Sequence, residues 1–480
     1  MCGVVVARDQ ALVEAGIEAS FHRGPDHSDL VTVNGWVLGH TRLSIVDLSS
    51  AGQQPMRRGQ TTVVYNGEMW NHETLGAGFD LASTSDTEAV VFSLDQERQE
   101  ALSRFDGQFG LCWVHDDDEA LYAARDKVGE VPLHYGYHRS TREVMIASEM
   151  KALIAMGVHP ATISWVPPGS VAVWTDPKAL PQLREWHEYD LAPVDDDLTT
   201  ATAKVDDLLA DAVVKRCKVA DVPVATLLSG GIDSSAVTWH ALPYLPDLVA
   251  YTAVYDTDSL DRRCARAAAD HLGIKLIEVV IPPPSADDLS TVIESIEMPH
   301  KAQVEIGWAC LHLARRLHDD GIRVVLSGEG SDELWSSYGR SFHTEQRLGW
   351  HKSRRQNVLG QHRKNYARVN KVFMAHSVEG RLPFADASLL EYALRLERDS
   401  VFGHHFANRP STPVEGRKPT KEKIVLRDSY HDRLPERIVR RDKSAFQTDA
   451  GIDKAAAGAV ADPQSYYRRE YRRIFNTKES

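Results

Sequence analysis

Ala225-Thr-Leu-Leu-Ser-Gly-Gly-Ile-Asp-Ser-Ser235 joins an apolar, strand-like run to the start of a helix, and its reading sets the architecture of the larger half of the chain. Gly230 and Gly231 allow a tight backbone curl with amides facing inward. Ser229, Ser234 and Ser235 add hydroxyls at a helix N-terminus, where the dipole favours an anion. Such a loop suits a pyrophosphate. It lacks the lysine of a GxxxxGK[ST] loop, and Asp233 would repel phosphate unless a divalent cation lay between them.

Working outward, strand-like runs at Val222–Leu228, Leu248–Val254, Leu276–Ile281 and Ile322–Leu326 alternate with helical stretches such as Asp261–Leu272 and Gly307–Leu317. That alternation predicts a doubly wound α/β domain on a parallel sheet, with its ligands at the carboxyl ends of the strands. A second loop at such an end, Val325-Leu-Ser-Gly-Glu-Gly-Ser-Asp-Glu-Leu334, brings Asp332 and Glu333 to the same sheet edge as Asp233. Asp233 and Asp332 together form a candidate Mg²⁺ clamp on nucleotide phosphates. Strand, SGGxDSS and helix in that order resemble the adenylating PP-loop pyrophosphatases. The resemblance implies ATP as co-substrate, cleaved between its α and β phosphates.

Up to about residue 190 the pattern differs. Short alternating strands are punctuated by Gly, Asn and Asp: Gly3–Ala7, Val31–Leu38, Thr61–Tyr65, Leu111–His115 and Glu143–Ala147. They predict an N-terminal antiparallel sheet sandwich flanked by few helices. Residues 191–200, with Pro193 and three consecutive aspartates, read as a linker between residues 1–190 and a second domain over 201–480. Cys2 stands directly behind Met1. Removal of Met1 would give the thiol a base on the same residue, since an α-amino group has a pKa of about 7.7.

The 480 residues exceed one ordinary core, and 42% apolar with 26% charged residues indicates a soluble globular protein. A net charge of −13 gives no overall attraction to nucleic acid or to an anionic membrane, and no apolar run spans a bilayer. Five scattered cysteines without CxxC spacing point to a reducing cytoplasm, with neither a disulfide framework nor a zinc site.

The strings His22-Arg-Gly-Pro-Asp26, His40-Thr-Arg-Leu-Ser-Ile-Val-Asp47, Tyr65-Asn-Gly-Glu68 and Ser85-Asp-Thr-Glu88 resemble the glutaminase domain of the N-terminal-nucleophile amidotransferases. Joined to SGGIDSS, SGEGSDE and Lys443-Ser-Ala-Phe446, they make the chain similar to the glutamine-dependent asparagine synthetases from Cys2 to about Phe446. The resemblance implies that Cys2 attacks the amide of glutamine. Asn66 and the Gly67 N–H would hold the oxyanion, Arg42 the α-carboxylate, Asp86 the α-ammonium, and Glu68 would assist binding. In the second domain ATP would activate a carboxylate as its acyl-adenylate and ammonia would displace AMP. Lys443 would stand at the α-phosphate and Glu329 would take the proton.

The acceptor segment departs from the family. It reads Glu297-Met-Pro-His-Lys-Ala-Gln-Val-Glu-Ile-Gly307, and His300, Lys301, Gln303 and Glu305 make a differently charged pocket, with Glu379 either a further contact or a buried structural carboxylate paired with Arg381. The acceptor is therefore either aspartate or another small carboxylic acid. Alternatives are intramolecular, β-lactam-type amide closure, which Cys2 with its partners argues against, and a scaffold that merely kept the fold. The oligomeric state is left open, a homodimer among the options.

Overall fold

The computed structural model describes residues 1–255, 259–337, 339–402, 423–441, 452–460 and 462–475. The N-terminal half holds β1 (Gly3–Ala7), β2 (His27–Val33), β3 (Trp36–Arg42), β4 (Met56–Arg58), β5 (Thr61–Met69), β6 (Gly107–His115), β7 (Leu121–Arg125), β8 (His134–Tyr137), β9 (Val144–Ala147), β10 (Ser164–Trp165), β11 (Ser170–Trp174) and β12 (Gln182–Glu185). They form two six-stranded sheets, ordered β10-β8-β9-β1-β3-β2 and β12-β11-β7-β6-β5-β4, antiparallel throughout.

The run Val4-Val5-Val6-Ala7 is apolar without alternation because β1 is covered on both faces. Val4 and Val6 meet Val64, Cys112 and Val114 of the other sheet. Val5 and Ala7 meet Val13 and Leu153 of flanking helices. On the outer face of the second sheet, Val90 and Leu94 of helix Asp86–Glu97 pack on Val63 and Trp113. The result is a sandwich with a helix layer on each side.

The segment Val31–Leu38 is not one strand. Asn34 (φ 51°) and Gly35 (φ 75°) turn the chain, so that Val33 pairs with Trp36 across a hairpin. Asn-Gly adopts two successive positive φ angles readily, and the turn's twist matches the paired strands.

The C-terminal half is built on β13 (Val224–Leu227), β14 (Val249–Val254), β15 (Lys275–Val280), β16 (Val324–Leu326) and β17 (Glu379–Arg381), ordered β15-β14-β13-β16-β17. Every neighbouring pair is parallel. The predicted linker is partly helical: helix Leu198–Lys218 starts inside it, with the Asp197 carboxylate accepting the Thr200 N–H at 2.8 Å. The rest is strapped down, the Val194 N–H donating to Arg395 O at 3.1 Å and the Tyr392 hydroxyl to Asp196 at 2.6 Å.

The halves share one core. Met1, Leu43, Ile45, Val128 and Val131 belong to the same apolar cluster as Ala225, Val325 and Phe373. Among the described residues no helix is long and apolar enough to cross a membrane.

Candidate functional site

The first centre lies at the start of β1. Gly3 pairs with Thr41, and a Cβ on Gly3 would come within 2.5 Å of the Thr41 hydroxyl, so the segment that carries Cys2 lies flat on β3. The Cys2 N–H donates to Asn66 Oδ1 at 2.7 Å. The Asn66 amide in turn donates to Ser148 Oγ at 3.2 Å, which also accepts the Val4 N–H at 3.0 Å. Gly67, next to Asn66 on β5, has φ +156°, and a Cβ there would lie 2.0 Å from Gln108 O. Burial raises the Cys2 thiol above the ordinary cysteine range, while the nearby amino terminus pulls the other way. Burial pushes His40 down to about 3, so its imidazole is neutral at physiological pH and supplies no cation to the thiol.

The side chains expected to hold glutamine surround this strand end. Arg42 donates to Ser49 O at 2.7 Å and to Asp47 O, and lines an open cleft of about 390 Å³ shared with His27, Ser50 and Arg323. Asp86 accepts the Tyr65 hydroxyl at 3.0 Å and the Met69 N–H at 2.9 Å. Glu68 is buried. Burial, followed by the neighbouring Glu379 and Asp86, raises its carboxyl well above the usual range.

The second centre is where β13 and β16 end. The loop after β13 curls as expected. Gly230 has φ +72°, and a Cβ on it would meet the backbone of Cys264 and Ala265 at 2.3 Å. The Ser229 N–H donates to Ser234 Oγ at 3.2 Å. The loop after β16 presses on it, for a Cβ on Gly328 would lie 2.9 Å from Ser234 N and 3.0 Å from Asp233 C. Asp233 and Asp332 converge, and the Lys423 ammonium stands between them, 2.5 Å from Asp233 and 2.6 Å from Asp332. Ser331 Oγ also donates to Asp233 at 2.6 Å. Two carboxylates already gathered round a cation are a donor set suited to Mg²⁺.

Glu329 is clasped by Arg368, whose other arm donates to Gln303 Oε1 at 2.7 Å. Gln303 donates to Asn365 at 2.8 Å, and Asn365 to Glu333 at 2.8 Å. Of the acceptor candidates, Gln303 therefore joins Glu329 in one buried polar network. Lys301 instead pairs with the buried Glu305 at 3.4 Å, and His300 occupies the N-cap position of their helix, Lys301–Asp319, without a side-chain capping hydrogen bond.

Glu379 takes the structural one of its two expected roles, a buried carboxylate paired with Arg381. It is fully buried at the seam between the halves, taking Arg381 Nε at 2.6 Å, Gln108 Nε2 at 3.1 Å and the Met1 amino group. Its carboxylate faces the first centre, because β17 is the edge strand against the N-terminal half. Lys443 lies outside the described residues.

Three contributors went unread in the sequence. Arg23 donates from Nε to the Cys2 carbonyl at 2.8 Å, and Ser148 braces Asn66. Arg23 stands inside the His22–Asp26 string that carries the resemblance, so a signal existed for it. Lys423 is 190 positions from Asp233, and no local pattern announces it.

Residues 1–165 match the family model described as a glutamine amidotransferase domain, and residues 204–369 and 350–477 match the one described as asparagine synthase. The chain is 30% identical to asparagine synthetase B [glutamine-hydrolyzing] of Escherichia coli K12, over 96% of this chain and 84% of that one. It is 29% identical to asparagine synthetase [glutamine-hydrolyzing] 3 of Arabidopsis thaliana, over 94% and 79%. A probable asparagine synthetase [glutamine-hydrolyzing] of Schizosaccharomyces pombe is also 29% identical, over 94% and 85%. With Cys2 held on an antiparallel sandwich and a serine–glycine loop on a parallel sheet, the chain belongs to the glutamine-hydrolysing asparagine synthetase family, a family of ATP-using carbon–nitrogen ligases.

Proposed function

We propose that the protein amidates a small carboxylic acid with ammonia taken from glutamine, in two half-reactions at its two centres. In the first, the Cys2 α-amino group, freed by loss of Met1, takes the thiol proton. The thiolate adds to the side-chain amide, with Asn66 and the Gly67 N–H facing the oxyanion. Arg42, Glu68 and Asp86 hold the glutamine backbone groups. Collapse of the adduct expels ammonia, and water releases glutamate from the thioester.

In the second half-reaction an acceptor carboxylate oxygen attacks the α-phosphorus of ATP, and pyrophosphate leaves into the Ser229–Ser235 loop. Ammonia then attacks the acyl carbon, AMP leaves with the bonding electrons, and Glu329 takes the proton that nitrogen loses. Lys423, with Lys443 as the second lysine, offsets phosphate charge in both steps. Asp233 and Asp332 would hold Mg²⁺, which supplies neutralisation of the polyphosphate. The observation that carries this reading is the contact of the two loops at Gly328, with Asp233 and Asp332 drawn together on one ammonium.

Aspartate is the acceptor that the relatives' names suggest. Another small carboxylic acid is the alternative, because the segment expected to meet the acceptor carries Glu305, buried and paired with Lys301 at 3.4 Å, and Gln303, held by Arg368 at 2.7 Å.

The test is pyrophosphate release by purified protein with Mg·ATP and an ammonium salt, with and without aspartate, followed by mass spectrometry of the products. Aspartate-dependent pyrophosphate with stoichiometric AMP and asparagine establishes aspartate. No response to aspartate, with Cys2-dependent glutamine hydrolysis intact, establishes another acid.

A further inference from the structure

The Cys2 backbone is gripped on two sides. Asn66 takes its N–H, and Arg23 donates to its carbonyl at 2.8 Å. Arg23 is fully buried, and its remaining nitrogens reach in different directions. NH1 donates to Glu149 at 2.7 Å, within the N-terminal half, whereas NH2 donates to Asn370 Oδ1 at 3.0 Å, in the C-terminal half. One of the two supports of this clamp therefore comes from the other centre's domain.

Asn370 belongs to helix Asn365–Met374, every residue of which is buried. A helix buried on all sides transmits displacement, because its neighbours are packed at crystal density and it carries charges fixed by partners. Two positions before Asn370, on the opposite side of the helix, Arg368 clasps Glu329 and Gln303. One position after it, Lys371 donates to Glu297 at 2.5 Å, and Glu297 accepts the Met150 and Lys151 N–H groups beside Glu149, at 3.1 and 2.7 Å. Just beyond the helix the Ser377 hydroxyl donates to His22 O at 2.7 Å, next to Arg23. Within four residues the helix thus holds Glu329 through Arg368 on one side, and on the other supplies Asn370 to Arg23 and, through Glu297, braces the backbone beside Glu149.

We propose that Asn370 is a positioning residue for glutamine hydrolysis, supplied by the synthetase half, and that helix Asn365–Met374 couples the two centres by joining the Arg23–Asn370 contact to the Arg368–Glu329 contact. Asn370 acts through Arg23 on the Cys2 carbonyl and touches no reacting atom. A helix that moves when Arg368 exchanges Glu329 for another anion shifts Asn370 against Arg23, so occupancy of the second centre sets how the nucleophile is held. The coupling rests on the glutaminase reading above and goes beyond it, since the same two half-reactions could run on uncoupled centres.

The test uses the full-length enzyme and glutamate release from glutamine, comparing wild type with Asn370→Ala, Asn370→Asp, Arg368→Gln and the Asn370→Ala/Arg368→Gln pair. Asn370→Ala lowers kcat about 10-fold with KM for glutamine nearly unchanged, as expected for a misplaced nucleophile. Asn370→Asp keeps an oxygen for Arg23 and restores kcat. Arg368→Gln, remote from Cys2, also lowers kcat, and the pair is no slower than Asn370→Ala because both changes act along one line. Ammonia-supported pyrophosphate release by Asn370→Ala stays at the wild-type rate. Wild-type kcat in Asn370→Ala, or an Asn370→Asp variant as slow as the alanine, overturns the positioning role, the latter by showing that packing alone matters. Additive losses in the pair overturn the coupling. If the wild type hydrolyses no glutamine in a Cys2-dependent way, the glutaminase reading fails and this inference with it.

Discussion

The two centres solve opposite electrostatic problems. Around Cys2 the groups are buried and fixed by short contacts to backbone and amides, from Asn66 and Ser148 on one side to Arg23 on the other. Around the serine–glycine loop the carboxylates of Asp233 and Asp332 remain 18% and 19% exposed and are held together by a mobile type of partner, the lysine ammonium of Lys423. On the proposed function, the first centre must place one sulfur against one amide carbon, which gains from rigidity. A centre that must admit and release a polyphosphate gains from charges that can exchange partners. Antiparallel strands buried on both faces supply the first, and loops at parallel strand ends supply the second.

The largest expected effect separates the centres outright. Cys2→Ala should lower glutamate release by at least about 10³-fold, as loss of a nucleophile does, while ammonia-supported pyrophosphate release is unchanged. Loss of both activities would show that the centres cannot be treated apart. Next, Lys423→Met leaves Asp233 and Asp332 facing each other. Pyrophosphate release should fall about 10²-fold, the usual effect of removing one group that stabilises developing charge, with glutamine hydrolysis retained. An unchanged rate would make Lys423 a structural counter-ion only.

Gly230→Ala probes the curl of the phosphate loop. At φ +72°, with backbone atoms 2.3 Å from the added Cβ, the substitution should cost about 1–3 kcal/mol of stability, read as a lower urea midpoint. Stability equal to wild type would mean that the loop relaxes freely.

The smallest effect lies at the seam. Burial pushes the Glu130 carboxyl up to about 8, with Arg216 beside it opposing, and Glu130 accepts the Leu382 N–H across the halves at 3.0 Å. A carboxyl whose folded pKa is raised favours the folded state fully below its unfolded pKa, near 4.5. That contribution is lost as pH rises through about 8. Glu130→Gln should therefore flatten the stability profile between those limits, measured by thermal melting at a series of pH values. A profile identical to wild type would show that Arg216 keeps Glu130 ionised throughout.

What could be read from the sequence follows from the range of the interactions involved. The apolar runs of β1, β13 and β14 and the serine–glycine loop are local patterns with local causes, and each has its counterpart in the structure. The Asn34-Gly35 hairpin is also local, yet the flanking apolar alternation continues on both sides and masks its turn signal. β17 is three residues, Glu379-Gly-Arg381. No propensity marks it as a strand, since only pairing with β16 and burial of its charges against the N-terminal half make it one. Lys423 and Asn370 act across long sequence separations, where tertiary structure alone brings partners together.

The central claim is that nitrogen moves from glutamine at the first centre to a carboxylate activated at the second. Its most direct test is incubation with glutamine labelled with ¹⁵N in the side-chain amide, Mg·ATP and the acceptor found by the pyrophosphate assay. The account predicts one labelled amide per AMP and pyrophosphate formed, lost in Cys2→Ala and restored, unlabelled, by ammonium salt. Labelled ammonia in the medium beside an unlabelled product, or a product without new nitrogen, would contradict it.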